Sequence, residues 1–270
     1  MRRHGPGPDA PRPRRTVVPA LLVFWLVIPL TPLLMWATAT RWSGVARLPQ
    51  DFGLHGWQEA LDAGVIAALV RSGLLGVAVA LIATPLGVMA GRALGWRLLH
   101  RSALPSLVLL GPVVLAPFAV AMGLDVVILR LGVPGEIAVV LVLSVFALPY
   151  TTFTMRATYL GLDPALEEQA RVLGATPGRA RRRVTLPAAS TGLVTATGLA
   201  FLVGWSDYVV TLLIGGGQIV TAPMLIGASA AGSGNDALTS TLAISVSLPP
   251  MLALGAFTYA VARRRRAAHS

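Results

Sequence analysis

The chain has 270 residues, 55% hydrophobic and 12% charged, with a net charge of +11 and a mean hydropathy of +0.72. A soluble domain carries roughly twice that charged share, and several apolar runs reach the roughly 20 residues needed to cross a bilayer, so a soluble protein is excluded. The basic residues are all arginine, in short segments beside apolar runs, which excludes a nucleic-acid surface, and the lack of cysteine excludes disulfides and thiol chemistry.

Met1 to Arg15 is basic and proline-rich. The apolar run that follows is too long for a signal peptide and shows no clear small-residue cleavage site. Residues 1–16 are therefore expected to be a basic tail and Val17–Ala39 a retained first span. Trp57–Val70 opens with an aromatic and carries Glu59 and Asp62 on its early turns. It is expected to be a short helix near the outer interface. If it instead lengthened the second span, Arg71 would enter lipid at a cost of roughly 3 kcal/mol.

Five more spans follow: Ser72–Gly91, Leu104–Gly123, Ile137–Met155, Thr191–Ile214 and Leu238–Ala262. The runs are continuously apolar, unlike the alternating ten-residue segments of an outer-membrane barrel. The fold class is thus an all-α integral membrane protein with six transmembrane helices over 17–262, followed by a basic tail over 263–270. Pro29, Pro32, Pro85, Pro112, Pro117, Pro149, Pro249 and Pro250 fall in these spans. They are either ordinary kinks or bends in helices that line a pathway. Gly87 with Gly91, and Gly76 with Ala80, are spaced for close helix packing, within the chain rather than between copies. Gly215-Gly216-Gly217 reads as a turn.

Orientation follows from the arginines. With the N-terminus inside, 18 of the 22 fall on inner segments, and only Arg41, Arg47, Arg71 and Arg130 fall outside. Both termini are then cytoplasmic, in a multi-pass protein of the plasma or inner membrane.

Between spans four and five lies a polar segment of about 160–187. Asp163 suits an N-cap and Pro164 a first helical position. A helix is expected over Pro164–Leu173, with Glu167 and Glu168 early, where negative charge suits the dipole. Leu166, Ala170 and Leu173 share one face, and Gly174 ends the helix. A second short helix, Pro177–Val184, carries Arg179, Arg181, Arg182 and Arg183. A helix, a sharp turn and a second helix, tied at both ends to spans, can pass a push from a docked partner into the membrane.

Glu168-Gln169-Ala170, Gly174, Val184 and Leu186-Pro187 resemble, at matching spacing, the EAA-x3-G-x9-[IV]-x-LP loop of ATP-binding-cassette importer permeases. The resemblance extends over nearly the whole chain. It implies that Glu167, Glu168, Ala170, Gly174, Val184, Leu186 and Pro187 form a cytoplasmic coupling loop. Tyr159–Glu168 and Phe201–Val210 are similar to segments of polyamine-type permeases, which implies spermidine, putrescine or a similar small solute. Related branches carry iron, thiamine, phosphonate, sulfate or sugar. The implied partners are ABC ATPase subunits, a second permease subunit (identical or homologous), an extracytoplasmic substrate-binding protein and the lipid bilayer.

The chain is expected to be non-catalytic and to hold no cofactor or metal. A phosphate-binding Walker A loop needs a lysine, and the sequence has none. ATP and Mg are thus expected on the partner ATPase. His4, His55, His100 and His269 are scattered without metal-ligand spacing. Asp207 is the one acid placed within a span, flanked by Trp205, Ser206 and Tyr208. It either faces the translocation path, with Tyr150 a further candidate, or serves a structural hydrogen bond. An ion-coupled secondary transporter is the remaining alternative; it would usually show more buried acids and an internal repeat.

Overall fold

The structure, a computed structural model, describes residues 21, 24–25, 27–28, 30–42, 48–98, 103–232 and 235–267, with backbone only at 41, 254 and 256–267. The 1–16 tail, the start of the first span, Arg47, Arg101, His4, His100, His269 and Ser270 lie outside the described residues.

In chain order the elements are α1 (Leu30–Ala37), β1 (Ala39–Arg41), β2 (Asp51–Phe52), α2 (His55–Asp62), α3 (Val65–Gly95), α4 (Ala103–Val114), α5 (Pro117–Leu131) and α6 (Gly135–Leu160). Then come α7 (Ala165–Val172), α8 (Pro177–Ala180), a π-helical turn (Arg181–Thr185), α9 (Leu186–Ala188), α10 (Ser190–Ser206), α11 (Val209–Ile214), α12 (Ala222–Ala231) and α13 (Asp236–Ala267). The chain divides into two compact parts, Gly64–Ala228 and the flanking segments Met1–Ala63 with Ser229–Ser270.

In Gly64–Ala228 the frame is α3, α6 and α10. Small residues let the three helices approach closely, as membrane helices require where no water drives them together. Gly87, Gly91 and Gly95, one per turn of α3, lie against Thr151, Met155 and Tyr159, one per turn of α6. A β-carbon at any of the three glycines would collide with its partner. The ascending register shows that α3 and α6 run parallel. The chain between them must therefore travel back, and α4 with α5 makes that return. At the other end of α3, Gly76 meets Phe201 and Gly204 of α10, while Gly192 of α10 meets Thr158 of α6. Thus α10 is antiparallel to both. Val79, Ala83, Val139, Leu143, Ala147 and Ala200 fill the core between them. The glycine spacing therefore serves packing inside the chain.

One expected interfacial helix and two expected spans are corrected. Trp57–Val70 is not one helix. Gly64, at φ +80, breaks it between α2 and α3. Arg71 thus lies in the second turn of a 31-residue helix, about 9 Å from its start. That helix is about 46 Å long, well beyond a hydrocarbon core of about 30 Å, so the exposed guanidinium reaches the interface. The third span is bent by 98° between α4 and α5. Pro117 opens α5, and Ala116 before it is extended at φ −60, ψ 126, the conformation a following proline imposes. The fifth span is broken at Asp207, also extended at φ −72, ψ 135, which separates α10 from α11. Asp125, half-buried on α5, is a second acid within an apolar helix. Among the described residues, α3 and α6 are long and apolar enough to cross a membrane, and up to four crossings result if each of two bent pairs counts as one span.

In the other part, β1 and β2 form a short antiparallel pair that periodicity did not announce. Trp36 stacks on Trp42 with centroids 4.2 Å apart. Glu59 of α2 takes a contact from His55 at 3.0 Å and accepts a hydrogen bond from Asn235 at 2.8 Å. Gly56 packs against Ala237 and Thr241 of α13, which runs on through Ala267, past the expected end of the sixth span at Ala262.

Candidate functional site

The segment from Gly161 to Ala189 joins the ends of α6 and α10 at one end of the helical frame. The Asp163 carboxylate accepts a hydrogen bond from the Ala165 N–H at 2.9 Å and so starts α7. Gly174 ends it at φ +89, a left-handed conformation that costs a side-chain-bearing residue about 1–2 kcal/mol. Around it the Ala175 N–H donates to the Ala170 carbonyl and the Gly174 N–H to the Arg171 carbonyl, both at 3.0 Å. These paired bonds are the Schellman closure of a helix C-terminus. The Thr176 hydroxyl then accepts from the Arg179 N–H at 3.4 Å, with Pro177 opening α8.

The acid that α7 buries is Glu167, 8% exposed. Its Oε1 lies 2.8 Å from Arg92 Nη2, and its Oε2 accepts from the Thr185 hydroxyl at 2.9 Å. Arg92 stacks over Trp96 at 4.7 Å from the ring centroid. Trp96 in turn donates through Nε1 to the carbonyls of Tyr159 at 3.0 Å and Leu162 at 3.3 Å. One carboxylate therefore ties the loop helix to the end of α3 and to the entry of α10. A pair this far out of water, with both oxygens engaged, loses roughly 2–3 kcal/mol when one partner is removed, between the values for exposed and fully buried pairs.

The second loop helix is corrected. Only Pro177–Ala180 is α-helical, and Arg181–Thr185 is a π turn. The wider turn faces Thr185 inward to Glu167, while Arg181, Arg182 and Arg183 stay exposed. The expected apolar face of α7 is corrected too. Leu166 is 44% exposed, Val172 87% and Leu173 88%. The helix turns its acid inward and its apolar end outward. Glu168, Gly174 and Pro187 are exposed, whereas Ala170, Val184 and Leu186 are half-buried.

The pathway candidates fall into distinct settings. Trp205 is buried against Phe201, with centroids 5.6 Å apart. The Ser206 hydroxyl donates to the Leu202 carbonyl at 2.7 Å. The Asp207 carboxylate accepts from the N–H groups of Val210 at 3.4 Å and Thr211 at 2.8 Å, and from the Thr211 hydroxyl at 2.9 Å. It caps α11, at the break in the fifth span. The Tyr208 ring lies against Gly227. Tyr150, on α6, is 45% exposed. Arg92, Trp96, Tyr159 and Thr185 are site residues that the sequence did not single out as such. No local signal marks Arg92, since its partner lies 75 residues away.

A family model described as "Binding-protein-dependent transport system inner membrane component" matches residues 63–267. Among individual proteins, the chain is 35% identical over 172 residues to the trehalose transport system permease protein SugB of Mycobacterium tuberculosis, covering 59% of each. It is 28% identical over 213 residues to the putative 2-aminoethylphosphonate transport system permease protein PhnV of Salmonella paratyphi A, covering 78% of this chain and 80% of that one. The crystal structure of a bacterial ABC transporter involved in the import of the acidic polysaccharide alginate superposes with a TM-score of 0.63 at 17% identity, covering 96% of this chain and 99% of that one. None of these names a polyamine, so the polyamine leaning of Phe201–Val210 gains no support from them.

Proposed function

We propose that this chain carries a small polar solute across the membrane as the permease subunit of an ATP-binding-cassette importer, because it belongs to the family of binding-protein-dependent transport system inner membrane components. It is a non-catalytic transport subunit, as its relatives are. ATP hydrolysis falls to a partner ATPase. An external binding protein delivers the solute, and a second permease subunit completes the path.

Six spans fit the frame. Parallel α3 and α6 need one crossing between them, supplied by α4 and α5, and α10 returns antiparallel; the expected first and sixth spans, before and after these in sequence, bring the count to six. The loop end of the frame gathers Arg92, Arg97, Arg156, Arg171, Arg179, Arg181, Arg182 and Arg183, whereas Arg71 and Arg130 lie toward the other end. That asymmetry makes the loop end cytoplasmic. The exposed Val172 and Leu173 then give an ATPase an apolar foothold beside Glu168. A push on α7 reaches α3 through the Glu167–Arg92 pair and α10 through Thr185. These are the helices whose tilt would open or close a path past Trp205, Ser206, Asp207 and Tyr208.

For the substrate, sugar or phosphonate stands ahead of polyamine, from the names of the relatives. The observation that carries the proposal is the family match over 63–267. Co-expression with a candidate ABC ATPase from the same organism tests it. The two proteins are expected to co-purify, and ATP hydrolysis by the complex is expected to rise when the loaded binding protein is added. An ATPase that neither co-purifies nor responds would refute the role.

A further inference from the structure

Helix α12 has ten residues and is about 15 Å long, half of what a crossing of a roughly 30 Å hydrocarbon core needs. It carries no charge, and only Ala222 of its residues is buried. Elements with so few buried apolar contacts are the ones that move. Two contacts seat its first half in the frame. The Ala222 N–H, an orphan donor of the helix start, donates to the Ser72 hydroxyl of α3 at 2.9 Å, across 150 residues of sequence. Five residues on, Gly227 lies against the Tyr208 ring, where a β-carbon would stand 2.6 Å from Cε2.

The two partners belong to one place. Gly73, next to Ser72, packs toward the Trp205 ring, and Tyr208 follows Trp205 by three residues, at the break between α10 and α11. Helix α12 therefore reaches both α3 and the break, beside Trp205. The turn that leads into α12 is exposed at Gly216, Gly217 and Gln218, and both glycines are left-handed, at φ +56 and +74. At the base of α12 the Thr221 hydroxyl is buried and has no hydrogen-bond partner. An unmet buried hydroxyl costs at least as much as one hydrogen bond returns, so it opposes what Ser72 contributes. Water would satisfy it once α12 lifts.

We propose that α12 is a door at the outer end of the frame, held shut by Ser72 and Tyr208, and that its lifting admits the solute to the segment Trp205–Tyr208. Ser72 and Tyr208 act as positioning residues, and Thr221 is the group that opening wets. The inference rests on the importer reading for which end is outer and where the solute enters.

The test uses thiol labelling. Thr221→Cys is close in size and replaces a hydroxyl that bonds nothing among the described residues. In right-side-out vesicles holding the permease with its ATPase, an impermeant maleimide outside should label this thiol at least tenfold more slowly at rest than the thiol of Gln218→Cys on the exposed turn. ATP inside and loaded binding protein outside should raise the rate severalfold. So should Ser72→Ala, which removes the acceptor, and Gly227→Ala, whose β-carbon wedges the Tyr208 ring away, each added to Thr221→Cys at rest. Thr152, equally buried and unpartnered on α6, is the control: the thiol of Thr152→Cys should stay unlabelled in both variants, which separates a lifted door from general loosening. Labelling of Thr221→Cys at rest as fast as Gln218→Cys, a rate that neither variant raises, or variants that open Thr152 as much as Thr221 would each overturn the proposal. The two variants act without ATP. Faster labelling in them with no response to ATP would uphold the door and count against the importer reading.

Discussion

Arg92, in the last turn of α3, holds Glu167 of the loop at 2.8 Å across 75 residues of sequence. Glu167 also accepts from Thr185, so a single carboxylate is shared by the loop helix, a membrane helix and the entry to another. If that knot transmits force, Glu167→Ala should uncouple transport from ATP hydrolysis. Arg92 would be left partly buried and unpaired, and stability should fall by roughly 2–3 kcal/mol. Thermal unfolding in detergent, set beside uptake in vesicles, measures both. In a double-mutant cycle with Arg92→Met the coupling energy should exceed about 1 kcal/mol; additive effects would show that the pair transmits nothing.

Gly174→Val should leave the protein in the membrane and abolish ATP-driven uptake. A β-branched residue is strained at φ +89, and the Schellman bonds around Ala170 and Arg171 would open. Co-purification of the ATPase with the mutant is the check. Normal assembly together with normal uptake would mean that the turn is not needed.

Glu168→Arg reverses an exposed charge on the outer side of α7 and should weaken ATPase docking without lowering thermal stability. Pull-down of the ATPase over a salt series reads this directly. An unchanged affinity at low salt, where surface charge acts most strongly, would remove Glu168 from the docking face.

Asp207 caps α11, and Asn caps a helix about as well as Asp. Asp207→Asn should therefore keep most of the stability, whereas Asp207→Ala should lose about 1 kcal/mol. If the carboxylate is only a cap, uptake in the Asn variant stays near wild type. A loss of uptake at unchanged melting temperature would instead place the charge on the translocation path.

A cysteine replacing Thr176 is cleanly labelled, since the chain has no native cysteine. Thr176 is exposed at the loop turn. It should resist an impermeant thiol reagent in intact cells and react in inverted vesicles. Labelling in intact cells would reverse the assigned orientation.

Much of the loop was legible because its signals are local. Asp163 starts α7, Gly174 ends it, and the spacing to Leu186-Pro187 follows from the chain itself. The parts that stayed hidden depend on distant partners. Glu167 and Glu168 are adjacent acids, and only the position of Arg92 decides which one is buried. Arg181 to Val184 read as the end of an ordinary helix, yet a π turn forms over Arg181–Thr185, where Thr185 can meet Glu167. Periodicity assigned the apolar runs but not their breaks. Asp207 divides the fifth span because its carboxylate caps the next segment, and Pro117 folds the third. Gly87 and Gly91 announced close packing, while Gly95, which completes the row against Tyr159, fell beyond the expected span end.

The central claim is that this permease moves solute only when a partner ATPase drives it. Proteoliposomes holding the permease with its ATPase, with ATP on the loop side and the loaded binding protein on the other, measure this directly. Uptake should require ATP, the ATPase and the binding protein together, and should vanish when any one is omitted. Uptake by the permease alone, driven by an ion gradient without ATP, would contradict the account.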